Sequence, residues 1–305
     1  MLKPGVYPAA VTPFGLKGEV DGASLAKLLA YFESAGCQGC AVGGSNGEGY
    51  SLIAREKKEL LESQAAAWRN LKPILGVATS SIEECAWLCR RAEELGAVPL
   101  VMAPGYYPHA TEELLHRWFL SVLDRSTVPL LLYNFPQRAG AEISPQLLKS
   151  LAHLPNLLGI KDSSGRADNL GEFREVLTSP EHRLFVGDET LLGDALAAGW
   201  HGTISGAANV IPEWLSSVVS EYFEGSRPSA LAKFEYVLPC IQAIRKAPQP
   251  GCHKAILKAR GILEHSSMRP PLTEPSQEEI DRVEAAVRAL EGKEPDSVPR
   301  PPDSP

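Results

Sequence analysis

The run Leu157-Leu158-Gly159-Ile160 is apolar and closes on Lys161, followed by Asp162-Ser163-Ser164-Gly165. A buried strand of a parallel sheet reads in this way, and a lysine at its carboxyl end stands where α/β barrels gather their chemistry. Desolvation depresses a lysine pKa, so an ε-amine held there can shed its proton and attack a carbonyl carbon. A second run, Leu130-Leu131-Leu132, closes on Tyr133 and continues Asn134-Phe135-Pro136-Gln137-Arg138. The Tyr133 phenol can relay protons if a second hydroxyl shares its hydrogen bond. The Arg138 guanidinium can clasp a carboxylate through two parallel bonds. A third run ends in Gly43-Gly44-Ser45-Asn46-Gly47-Glu48. Its glycines allow a tight turn with inward N–H groups, and Ser45 adds a hydroxyl, which together make a cradle for a carboxylate or phosphate. Tyr106 and Tyr107 follow a fourth run and offer another phenol.

Each residue type also has a plain structural use. A strand-end lysine can simply reach solvent, a tyrosine can rest its hydroxyl on a carbonyl, and Arg138 can be a solvated loop charge. Gly187, after the run that ends at Val186, and the small residues from Gly202 to Asn209 can serve only close backbone packing. It is their coincidence at one mouth that points to chemistry: a lysine, a tyrosine, a Gly-Ser donor turn and an arginine suit an amine nucleophile acting on a 2-oxo acid.

For these groups to meet, the elements must converge. Short apolar runs are expected as strands at Val6–Phe14, Gly39–Gly43, Pro73–Ala78, Val98–Ala103, Val128–Tyr133, Leu157–Lys161, Leu184–Val186 and Gly202–Ser205. Amphipathic stretches alternate with them: Asp21–Ala35, Ile53–Trp68, Ser81–Leu95, Thr111–Asp124 and Ser144–His153. Strand and helix in alternation mean βαβ units, and eight of them predict a closed (β/α)8 TIM barrel over residues 1–210. An open doubly wound sheet is the alternative, but its glycine fingerprint is missing after the first strand. Ser81, Thr111 and Ser276 each precede acidic residues, as helix caps do. Beyond residue 210 strand patterns cease. Pro212–Phe223, Pro228–Lys246, Cys252–Leu263 and Ser276–Leu290 read as a helical extension over 211–292. Residues 293–305 are polar and proline-rich, a tail expected to be disordered.

The chain has 305 residues with 44% hydrophobic and 22% charged, an ordinary balance for a globular protein with a large core. A net charge of −7 without a basic block argues against nucleic acid as partner. No stretch is long enough for a membrane span and the start lacks a long apolar leader, so a cytoplasmic location is expected. Of six cysteines, Cys37 and Cys40 have CxxC spacing, with Cys85 and Cys89 four apart and Cys252 beside His253. Buried free thiols are the better account of them than a metal or redox centre.

Taken together, Gly44-Ser45-Asn46-Gly47-Glu48, Tyr106-Tyr107, Tyr133-Asn134-Phe135-Pro136 and Gly159-Ile160-Lys161-Asp162 resemble, in order and spacing, the dihydrodipicolinate synthase and N-acetylneuraminate lyase family of class I aldolases. The resemblance spans roughly Val6 to Leu290. It implies that Lys161 forms a Schiff base with pyruvate, that Tyr133 relays protons, and that Ser45 bridges Tyr133 and Tyr107, with Tyr107 reaching in from a neighbouring subunit. Ser45 and Asn46 would bind the pyruvate carboxylate, Ile204 would offer a backbone carbonyl, Gly187 would border the substrate, and Arg138 would meet the aldehyde's carboxylate. A homotetramer needing no metal or organic cofactor is implied. Arg138 matches the synthases, which use aspartate semialdehyde. The Ser45-Asn46 pair, in place of the usual two threonines, looks more like 4-hydroxy-2-oxoglutarate and related sugar-acid aldolases, as does Tyr133-Asn134-Phe135-Pro136. The synthase reading is favoured. A non-catalytic barrel that binds a 2-oxo acid is the alternative from another class, which the tyrosines and lysine argue against, and a phosphate-handling isomerase has only Gly206-Ala207-Ala208 as a faint phosphate loop.

Overall fold

The computed structural model describes residues 2–104 and 111–290, with Lys293 and Pro295. Eight strands form one parallel sheet: β1 (Gly5–Pro8), β2 (Gly39–Val42), β3 (Lys72–Val77), β4 (Val98–Met102), β5 (Leu130–Asn134), β6 (Leu157–Asp162), β7 (Arg183–Val186) and β8 (Gly202–Ser205). They run in the order β1-β8-β7-β6-β5-β4-β3-β2. The two ends of that list meet: Gln38 N donates to Val6 O at 3.0 Å, Ala10 N donates to Ala41 O at 2.9 Å, and Ala9 bridges Ala41 in parallel. The sheet therefore closes, and the fold is the expected (β/α)8 TIM barrel with helices outside. The strands are apolar along nearly their whole length because both faces are covered, the inner by the barrel core and the outer by helices. Leu75, Leu131, Ile160, Phe185 and Ile204 are all buried.

Sequence and structure agree closely on where the helices start. Ser81 Oγ accepts from Glu84 N at 3.2 Å, and Thr111 Oγ1 accepts from Leu114 N at 3.3 Å. Ser276 Oγ accepts from Glu279 N while the Glu279 carboxylate accepts from Ser276 N, a capping box that satisfies two terminal N–H groups at once. Past residue 210 come helices Pro212–Phe223, Arg227–Lys246, Gly251–Ala259 and Gln277–Arg288. The first packs against β1 and the long second helix, which packs in turn against the last.

Two elements differ from expectation. The first strand stops at Pro8 rather than Phe14, because the chain turns across the barrel mouth: Val11 N donates to the Asn209 side chain at 3.0 Å, and Phe14 pairs antiparallel with Val20. Val11 and Phe14 are buried all the same, so their apolar character reflects core contact and not strand. The expected helix Ile53–Trp68 ends at Glu62 and resumes as a single tight turn, Ala67–Arg69. Gln64 Nε2 is drawn to Gly22 O and Trp68 Nε1 to Leu61 O, tertiary and local bonds that override helical periodicity. All six cysteines are buried and free. The expected disordered tail lies outside the described residues, apart from Lys293 and Pro295.

Candidate active site

The carboxyl ends of the strands open into a cavity of about 460 Å³. Six of the residues expected to do chemistry line it: Ser45, Asn46, Tyr133, Arg138, Lys161 and Gly187. Tyr133 on β5 and Lys161 on β6 are register partners, so their side chains leave the sheet on the same face. The Lys161 Nζ lies 4.2 Å from the centre of the Tyr133 ring, and both residues are only 4% exposed. The Tyr133 hydroxyl meets Ser45 Oγ at 3.1 Å, a hydrogen bond across the barrel from β5 to the turn after β2.

The chain behind this pair is locked by Asp162. Its buried carboxylate accepts from Asn134 Nδ2 at 2.8 Å, Ser164 N at 3.1 Å, Ser164 Oγ at 2.8 Å and Asn169 Nδ2 at 3.3 Å. Burial pushes its pKa up against the pull of those bonds. Ser163 N donates to Asn134 O at 2.8 Å, so the ends of β5 and β6 are tied just beyond Tyr133 and Lys161.

Two glycines make room. A Cβ on Gly187 would lie 2.0 Å from Ser163 Oγ and 2.7 Å from Lys161 Cε, so only glycine leaves the lysine its path into the cavity. A Cβ on Gly206 would lie 2.3 Å from Asn46 Nδ2, so the Asn46 amide folds directly across that glycine. Arg138, on the short helix Pro136–Ala139, is exposed at the rim with its guanidinium 6.0 Å from the Phe135 ring centre. Among the described residues it makes no side-chain hydrogen bond or ion pair, so its charge is available to an anionic group.

Ile204 is fully buried on β8 and is not among the residues lining the cavity; Gly206, two positions on, is. Tyr107 lies outside the described residues.

Sequence reasoning missed Arg245, near the end of the long helix Arg227–Lys246. It donates to Asp188 Oδ2 and Glu189 Oε2, each at 2.8 Å, and to Gly187 O at 3.2 Å. Glu189 is 1% exposed and also accepts from Ser205 Oγ at 2.7 Å and Ala207 N at 3.0 Å. Burial alone would raise its pKa, but the Arg245 charge and these bonds outweigh burial and hold it below the usual carboxylate range. Pro248, Gln249, Pro250, Pro271 and Leu272 add to the lining from the same C-terminal stretch, and Glu48, Tyr50 and Ser51 from the loop after β2. Nothing local marks the C-terminal residues, since they act on strand ends far away in sequence.

Comparison with known proteins places this geometry. The family model described as the dihydrodipicolinate synthetase family matches residues 3–290. The chain is 29% identical to a 4-hydroxy-tetrahydrodipicolinate synthase of Bacillus velezensis, covering 93% of this chain and 98% of that one. It is 30% identical to one of Archaeoglobus fulgidus, covering 94% and 98%. The dihydrodipicolinate synthase structure of Thermotoga maritima superposes with a TM-score of 0.89 at 26% identity, covering 95% of this chain and 99% of that one. A closed barrel carrying a lysine, a tyrosine and a serine at one mouth, matched by that model over nearly its whole length, identifies the chain as a member of the dihydrodipicolinate synthetase family.

Proposed function

We propose that this enzyme, a class I lyase of its family, is a 4-hydroxy-tetrahydrodipicolinate synthase that joins pyruvate to aspartate semialdehyde. The observation that carries the reading is the buried Lys161 amine against the Tyr133 ring, whose hydroxyl meets Ser45 Oγ at 3.1 Å. Lys161 Nζ adds to C2 of pyruvate, and loss of water leaves a protonated imine. That nitrogen is an electron sink, so the methyl group can lose a proton and become an enamine carbon. The carbon attacks the aldehyde, and the Tyr133–Ser45 pair passes the proton that the new alkoxide needs. Release of C2 from Lys161, to water or to the semialdehyde's own amine with ring closure, returns the free amine.

Ser45 and Asn46 take the pyruvate carboxylate, and Gly187 keeps the lysine's path clear. Arg138 takes the carboxylate of the aldehyde. Tyr107 from a neighbouring copy completes the relay, and Ile204 contributes its carbonyl. A cytoplasmic homotetramer, with the barrel over 1–210 and the helical extension over 211–292, is the form this reading takes. The likeness to 4-hydroxy-tetrahydrodipicolinate synthases of Bacillus velezensis and Archaeoglobus fulgidus supports the choice of aldehyde. Asn46 favours one second reading, cleavage of 4-hydroxy-2-oxoglutarate, whose glyoxylate product also carries a carboxylate for Arg138.

The test has two arms. Borohydride added with pyruvate should leave a stable mass on the peptide that contains Lys161, and Lys161→Ala should abolish both adduct and turnover. Pyruvate with aspartate semialdehyde should then turn over faster than 4-hydroxy-2-oxoglutarate is cleaved. An adduct on another lysine rejects the mechanism, and the reverse order of rates rejects the aldehyde.

A further inference from the structure

Glu48 is the only non-glycine residue with positive φ among the described residues, at φ 53° and ψ 35°. A left-handed glutamate costs free energy that glycine would not, so something must hold it there. Its side chain does. The Glu48 carboxylate, with no exposed surface, is paired with Lys254 Nζ, equally buried, 206 residues further along the chain. Its second oxygen accepts from Arg269 N at 2.9 Å. Lys254 Nζ also donates to Ser267 O at 2.7 Å and sits 4.4 Å from the Phe14 ring centre. The Arg269 guanidinium donates to Gly18 O, Ser51 O and the Glu56 carboxylate. Two cations of the C-terminal segment thus grip the loop that follows β2.

A buried ion pair is a poor way to gain stability, because desolvation offsets the attraction; its better-attested use is to fix one conformation. Here the fixed residue closes the donor turn. Glu48 N donates to Ser45 O at 3.3 Å, Gly49 N to Gly44 O at 2.9 Å, and Thr12 Oγ1 to Gly47 O at 2.6 Å. A shift of Glu48 therefore shifts Ser45, which holds the Tyr133 hydroxyl. We propose that the Glu48–Lys254 pair positions the Ser45–Asn46 turn to receive the carboxylate of a 2-oxo acid, which makes both of them positioning residues. This rests on the functional reading above. Glu48 borders the cavity, but both its carboxylate oxygens are taken by Lys254 Nζ and Arg269 N, so the pair acts through the turn.

The experiment measures borohydride trapping against pyruvate concentration, with steady-state constants for both substrates, in wild type, Glu48→Gln and Glu48→Gln/Lys254→Met. The double variant removes both charges, and replacing both partners of a buried pair is commonly tolerated. Glu48→Gln keeps an acceptor for Arg269 N, so it provides a reading even if the double variant does not fold. In both variants KM for pyruvate should rise about tenfold, and its half-saturation in trapping with it, as expected when donors shift by a fraction of an ångström. KM for the aldehyde should stay at the wild-type value. Wild-type pyruvate dependence in either folded variant overturns the proposal, and so does a parallel rise in both KM values, which would mark a general loosening. Wild-type protein that traps no pyruvate would instead overturn the functional reading on which the role depends.

Discussion

Gly187→Ala tests the placement of Lys161 directly. The glycine has an ordinary negative-φ backbone, so alanine is not excluded by conformation; it is excluded by its neighbours. The added methyl would stand 2.7 Å from Lys161 Cε and 2.0 Å from Ser163 Oγ, where relaxed contacts lie at about 3.5–4.0 Å. The lysine must therefore retreat by roughly 1 Å and the serine by more. Overpacking of this kind costs about 1–3 kcal/mol, a fall of a few degrees in melting temperature for a chain of this length. The kinetic loss is larger, because misplacement of a reacting group by about 1 Å costs on the order of 10²-fold in rate. The assay pairs thermal melting with the rate of borohydride trapping of pyruvate on Lys161. Adding Ser163→Ala separates the two contacts. It removes the shorter clash and leaves the one with the lysine, so the double variant should regain most of the lost melting temperature and little of the lost rate. Wild-type trapping by Gly187→Ala, or recovery of both quantities in the double variant, would refute the claim that Gly187 exists to clear the path of Lys161.

Other consequences are as open to measurement. Arg138→Ala removes the rim cation that has no hydrogen-bond or ion-pair partner among the described residues; kcat/KM for the carboxylate-bearing aldehyde should fall about 10–100-fold, the worth of one or two charge-assisted bonds, while trapping of pyruvate is unchanged. Equal loss in both would mean that Arg138 does not contact the aldehyde. His253 is fully buried and neither ring nitrogen has a hydrogen-bond partner among the described residues; burial pulls its pKa from 6.5 to about 4, outweighing the pull of Glu189 the other way. The unfolded chain takes up this proton below pH 6.5 and the folded one only near pH 4, so the stability it contributes is present above pH 6.5 and lost as pH falls towards 4. The loss amounts to about 3 kcal/mol. His253→Leu should melt no lower than wild type at pH 7.5 and lose less stability between pH 6.5 and 4; an unchanged acid limb would remove His253 from that account.

The strands were legible because burial on both faces leaves an unmistakable run of apolar residues. Gly202–Ser205 matches to the residue, and β6 gains only Asp162, whose pairing with Asn134 and Val186 no local pattern announces. Alternation failed at Val11 and Phe14, where apolar side chains fill the core from a turning segment. Lys161, Tyr133 and Ser45 could be read because strand ends converge by topology alone. Arg245, Lys254 and Arg269 could not. Each lies on a helix or loop whose own composition asks only for packing, and each is given its role by a partner about 60 to 220 residues away. The left-handed φ of Glu48 was equally hidden, since glutamate carries no preference for it.

The origin of the cavity lining has one more consequence. Strand ends supply its floor, where the imine would form. Part of its roof comes from Arg245, Ala247, Pro248, Gln249, Pro250, Pro271 and Leu272, in a stretch that supplies no strand among the described residues. Pro248, Gln249, Pro271 and Leu272 can therefore vary without touching the lysine and tyrosine, whereas Arg245, Lys254 and Arg269 tie that stretch to the strand ends and the turn after β2. A change at one of those four positions alters the space offered to the incoming aldehyde without disturbing the lysine and tyrosine beneath, so one chemistry can be re-addressed to a new electrophile through that stretch together with Arg138 at the rim.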